Sequence, residues 1–126
     1  KFINNKKKKL KKKKPKKYHA GNNVFIKDCE KILLNSDEQI TFIKKKKNQY
    51  DLAKKNWGFY ATPSINSRLK KFKFRTAIIK SLNSGKYFIF ILEKGKEKAF
   101  NKYLKQENFK VILWFDKKSD LKKLGI

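Results

Sequence analysis

Between Trp57 and Phe115 the apolar residues fall into segments whose lengths and spacings alternate between two periods, and that order constrains the fold more than any other feature. Trp57–Ala61 is short and aromatic, as strands favour. Thr62 can cap a helix and Pro63 suits its first turn, where a missing N–H costs nothing. Ile65, Leu69 and Phe72 then recur at i, i+4 and i+7, so a helix is expected from about Pro63 to Phe72. Phe74–Ser81 alternates, with Phe74, Thr76 and Ile78 on one face and Arg75, Ala77 and Ile79 on the other. Leu82-Asn83-Ser84-Gly85 reads as a hairpin turn. Tyr87–Leu92 is apolar on both faces, the mark of a central strand. A second helix follows Gly95, with Ala99, Phe100, Tyr103 and Leu104 as its buried stripe and Asn108 as its end. Val111–Phe115 is the last strand, and one more turn is expected around Leu121 and Leu124.

Strand, helix, strand, strand, helix, strand is the split βαβ order. Right-handed crossovers would lay both helices on one face of a four-stranded sheet, with 57–61 and 87–92 as the inner pair. The expectation is therefore an α+β chain whose body, about 57–116, resembles ferredoxin-like folds. The resemblance concerns topology alone, and folds of this kind host many functions.

Upstream of the body the sequence changes twice. Residues 1–22 hold eleven lysines and no acid, which reads as a disordered, self-repelling basic arm. From 23 to 126 a single α+β domain is expected. Its start would be a small antiparallel lead-in, with strand candidates at Val24-Phe25-Ile26, Gln39–Ile43 and Tyr50-Asp51-Leu52 and a turn at Asn35-Ser36-Asp37. Cys29–Leu34 fits a strand or a helical turn equally, because periodicity does not separate them. The Tyr87–Leu92 apolar run is far too short to span a bilayer. A reducing, cytoplasmic setting follows from a single cysteine, Cys29, which has no disulfide partner in the chain.

A net charge of +26 narrows the partners. One reading is a polyanion, with RNA favoured over DNA and neither requiring base-specific contacts. The other is composition: Lys, Asn, Ile and Phe share AT-rich codons. With 34 lysines against two arginines, the chain lacks the enrichment in planar forks that phosphate recognition recruits. Under the first reading, Lys11, Lys12, Lys13, Lys14, Lys16 and Lys17 in the arm neutralise phosphates. Lys44, Lys45, Lys46 and Lys47 do so from a loop, and Lys73 with Arg75 forms a firmer patch. Under the second, the chain is an accessory or regulatory module for a protein partner or a small anionic ligand.

Two further features bear on chemistry. The start of the first helix gathers Thr62, Ser64, Ser67, Arg68 and Lys71, which could hold an anion at the free N–H groups of the helix end. The ordinary alternative is that Arg68 pairs with a carboxylate and the hydroxyls are solvated. The aromatics Trp57, Phe59, Tyr60, Tyr87, Phe88 and Phe90 would stack bases if one sheet face were open. If residues 23–52 fold over that face, they are core. No catalytic constellation is legible: His19 has no evident partner and Cys29 no activating neighbour. The chain is read as non-catalytic, and no cofactor or metal is implied.

Overall fold

The computed structural model describes residues 15–21, 24–45 and 47–126. Among the described residues eight strands and three short helices follow one another as β1 (Lys16–Gly21), β2 (Val24–Asp28), β3 (Gln39–Lys45), β4 (Asn48–Lys55), β5 (Gly58–Ala61), α1 (Arg68–Lys71), β6 (Phe74–Ser81), β7 (Tyr87–Glu93), α2 (Glu97–Glu107), β8 (Phe109–Trp114) and α3 (Lys118–Lys123). The α+β class holds. The strands form three small sheets, ordered β1-β2, β3-β4-β5 and β7-β6-β8. The backbone groups into two compact units. One comprises Leu52–Tyr60 with the described residues up to Ile40, and the other Thr41–Asp51 with Ala61–Ile126.

The four-stranded ferredoxin-like sheet does not form. β6 is the central strand of its sheet and β7 lies at an edge, so the inner position expected for Tyr87–Leu92 is corrected. β5 pairs with β4 across the Asn56-Trp57 turn instead of joining β7. Chain geometry gives the reason. A parallel crossover has to return the chain along the whole strand, usually by a helix. α1 has four residues and rises only about 6 Å, whereas β6 with eight extends about 26 Å. The local hairpin β4–β5 closes a far smaller loop. By contrast α2, with eleven residues, rises about 16 Å and carries the chain from β7 over to β8. β6 runs between them, antiparallel to both.

α1 is shorter than the apolar stripe implies because Ser64 intervenes. The Ser64 hydroxyl accepts the Arg68 N–H at 3.0 Å, and the Ser64 carbonyl accepts the N–H of Leu69 at 3.0 Å and of Ser67 at 3.3 Å. Such local bonds hold 64–67 in turns rather than in helix. Pro63 is buried and Ile65 is exposed, so only Leu69 of the stripe is fully covered.

Alternation in β6 is as expected, and it seeds the core. Ala77 and Ile79 are fully buried with Leu104 of α2, and Phe90, Phe100, Phe109, Val111 and Trp114 pack around them. Phe90 sits at the centre of the ring contacts, 6.2 Å from Phe100, 6.2 Å from Tyr103 and 5.7 Å from Phe109 between centroids. The α2 stripe is shifted from expectation: Ala99 is exposed and Glu107 is buried, so the covered face runs through 100, 103, 104 and 107. Asn108 ends α2 in the left-handed region, φ 56°, a conformation Asn tolerates well. β8 carries an extra residue between its partners of Ile78 and Ile79, which is a β-bulge.

Two further expectations change. Lys16–Gly21 of the arm forms β1, paired antiparallel with β2 through Tyr18↔Ile26 and His19↔Phe25, while residues 1–14 lie outside the described residues. The Lys44–Lys47 loop is shortened, because β3 continues through Lys45.

Candidate nucleic-acid interface

The expected cations have very different surroundings. Arg75 and Asp116 face each other where the β6–β8 register continues beyond Ala77↔Trp114. The Arg75 Nε donates to Asp116 Oδ2 at 2.8 Å and its Nη2 to Oδ1 at 3.2 Å, a bidentate fork. The guanidinium also lies 3.8 Å from the Trp114 ring centre. Side-chain exposure is 17% for Arg75 and 12% for Asp116. Arg75 is thus committed to holding β6 to the end of β8 and offers little to a phosphate.

Arg68 is tied more loosely, with 51% of its side chain exposed. Its Nη2 donates to the Thr62 hydroxyl at 3.3 Å and lies 3.6 Å from the carboxylate of Asp51. Asp51 is 2% exposed, accepts from Gln49 Nε2 at 3.1 Å, and its carbonyl accepts the Thr62 N–H. The carboxylate the ordinary reading called for is therefore Asp51. Ser67 precedes α1 without a side-chain cap, and Ser64 is occupied by the Arg68 N–H. Of the five residues, Lys71 alone is an exposed cation with no carboxylate partner among the described residues. Neither Asp51 nor its contact with Arg68 was legible, since seventeen positions of chain separate them.

The remaining lysines divide simply. Lys44 is bound to Glu93, and this pairing holds the Glu93 carboxyl below its ordinary range. Lys16, Lys17, Lys47 and Lys73 are exposed and have no carboxylate partner among the described residues, whereas the exposed Lys45 adds its charge to the field that lowers Glu93. Lys11–Lys14 and Lys46 lie outside the described residues.

The aromatics separate into core and surface. Phe90 is half-buried in the core, whereas the residues of the Trp57 stretch are open: Trp57 is 68% exposed, Phe59 61% and Tyr60 46%. Trp57 and Tyr60 stack at 6.1 Å with planes 27° apart. Lys54 lies 5.3 Å from the Phe59 ring centre. On β1–β2, Phe25 likewise is exposed, with Lys17 at 5.2 Å and the His19 ring at 4.9 Å. Covering of these rings by residues 23–52 was the competing expectation, and it fails for Trp57, Phe59 and Tyr60. The signal that could have separated the outcomes is the lysine pair Lys54-Lys55 just before the turn, since a hairpin tip with two cations is costly to bury.

The edge strand β7 carries its own exposed apolar side chains, Tyr87, Ile89 and Ile91. Antiparallel pairing alternates bonded and non-bonded pairs. The Lys94 N–H donates to the Lys73 carbonyl, and the Ser81 N–H to the Lys86 carbonyl. Parity then turns the backbone groups of Tyr87, Ile89 and Ile91 outward.

Among the described residues no group of His, Cys, Asp and Glu could hold a metal, and no helix is long and apolar enough to cross a membrane. No protein-family model, curated protein or solved structure matches this chain.

Proposed function

We propose that this chain is a small, basic, non-catalytic domain that binds nucleic acid, RNA in preference to DNA, chiefly through its phosphates. The observation that carries the reading is the placing of lysines over exposed rings, the exposed Lys17 at Phe25 and the half-buried Lys54, whose ammonium also donates to the Lys55 carbonyl, at Phe59. Grooves that track a nucleic-acid backbone combine these two elements: cations take the phosphates and rings take the bases. Lys16, Lys17, Lys47 and Lys73 supply charge not already spent on a carboxylate of the described residues, and Lys45 adds to it beside Glu93. Arg75 is held by its carboxylate and belongs to the scaffold in this reading, while Arg68, half exposed and 3.6 Å from Asp51, is only partly tied.

The test is a titration of the full chain with an RNA oligonucleotide at several salt concentrations. Five to six phosphates neutralised would give a slope of log K against log salt of about −4 for a single strand. Replacing Lys11, Lys12, Lys13, Lys14, Lys16 and Lys17 by Gln should flatten the slope markedly. Truncation is less informative, because it would remove β1. Absence of RNA binding at physiological salt would overturn the proposal.

A further inference from the structure

We infer that the Trp57–Tyr60 ring pair is a stacking platform for an unpaired base, so that the preferred ligand is single-stranded. The inference rests on the nucleic-acid reading above and narrows it to a ligand class and a place.

The geometry begins with the turn. Asn56 and Trp57 connect β4 to β5, and Gly58 adopts φ 146°, a backbone conformation that side chains rarely permit. The turn therefore fixes where Trp57 leaves the backbone. Three residues on, Tyr60 supplies a ring at 6.1 Å and 27°, so the indole is supported from one side. A contact that served only to steady the hairpin would bury both rings. Here Trp57 keeps 68% of its surface and Tyr60 46%. Leaving that much apolar area in water forfeits about 25 cal/mol per Å². A base has the flat face that such a ring pair accepts, and stacking is indifferent to base identity.

Charge lies within the same hairpin. Lys54 is beside Phe59, and Lys55 is paired with Asp37, whose contact raises the lysine above its ordinary range. Lys55, next to the turn, is the cation on the Tyr60 side of the hairpin, and its ion pair with the exposed Asp37 is of the weak surface kind that a phosphate can displace. A duplex keeps its base faces covered by neighbouring pairs, so it can use the lysines and not the rings.

The experiment uses the two tryptophans, one exposed at the turn and one half-buried beneath Arg75. The full chain and Trp57→Leu are titrated with a uridine dodecamer, an RNA duplex of equal length, and phosphatidylserine vesicles, following intrinsic fluorescence. The dodecamer should quench the full chain saturably. Trp57→Leu should lose that quenching and bind the dodecamer about five- to a hundred-fold more weakly, the loss expected for one stacked base, while its duplex affinity stays unchanged. A thermal melt within about 2 °C of the parent would exclude misfolding as the cause, as expected for an exposed turn residue. Equal loss for both nucleic acids, or no loss for either, would overturn the platform and leave phosphate binding standing. If neither nucleic acid binds, both readings fail, and a blue shift with vesicles alone would assign the ring pair to an anionic lipid surface.

Discussion

Replacing Arg75 by Ala separates scaffold from ligand contact in one experiment. The side chain makes two charge-assisted hydrogen bonds to Asp116, 2.8 and 3.2 Å, and stands 3.8 Å from the Trp114 ring centre. Bonds to charged groups contribute about 1.5–3 kcal/mol when a partner is removed, and a partly desolvated cation–π contact about 0.5–2 kcal/mol. At 17% and 12% exposure the pair is only partly screened, and the stranded Asp116 carboxylate adds to the loss. Contributions around one side chain overlap, so Arg75→Ala should cost about 2–4 kcal/mol. For a unit of this size each kcal/mol moves the midpoint about 4–8 °C, which predicts a fall of about 8–32 °C. Arg75→Lys should lose roughly half as much, because an ammonium cannot form the fork. Asp116→Ala should cost a similar amount to Arg75→Ala, and the double variant far less than the sum. Thermal unfolding by circular dichroism measures each. The salt slope of RNA binding, taken well below the midpoint, should match the parent. Arg75→Ala melting within about 2 °C of the parent, with a slope reduced by about one, would refute the argument and return Arg75 to the nucleic-acid interface.

The Trp114 N–H donates to Asp120 Oδ2 at 2.9 Å, and this bond first, with Lys123 assisting, holds the Asp120 carboxyl below its ordinary range. Glu93 is lowered likewise, chiefly by its bond from Lys44. A lowered carboxyl stabilises the fold above its unfolded pKa and loses that contribution as pH falls through the folded one. Stability should therefore decline below about pH 4, and Asp120→Asn should shrink the decline in an acid titration followed by fluorescence. Asn108 at φ 56° should accept Gly with a change within about 0.5 kcal/mol, whereas Asn108→Val should cost about 1–2 kcal/mol in denaturant melts. Ile89→Lys on the edge strand β7 should leave the midpoint within about 3 °C. It should also reduce concentration-dependent light scattering, because an outward charge blocks strand addition.

Local features carried much of this architecture into the sequence. The alternation of Phe74–Ser81, the turn after it, the second helix and its end at Asn108 follow from short-range pattern. So does the strand at Val24–Ile26. The order of strands in the sheet did not, because order depends on how far each connection can return the chain. The local bonds of Ser64 limited α1 to a length too small for a crossover, so β5 turned to β4. Apolarity on both faces of Tyr87–Leu92 was read as centrality, although hydrophobic residues also occur at exposed edges, as Ile89 and Ile91 do here. The candidate sites divide in the same way. Net charge and the presence of Trp57, Phe59 and Tyr60 are properties of composition. Whether a cation is available is decided by what stands opposite it.

The sequence by itself determined the α+β class, the excess of lysine and the short-range turns, since each depends on neighbours a few bonds away. Only the tertiary structure decided that Arg68 and Arg75 answer to Asp51 and Asp116, and that Trp57 faces water. The physical reason is that pairing and burial are set by residues distant along the chain, and burial determines whether a charge or a ring is available to a ligand.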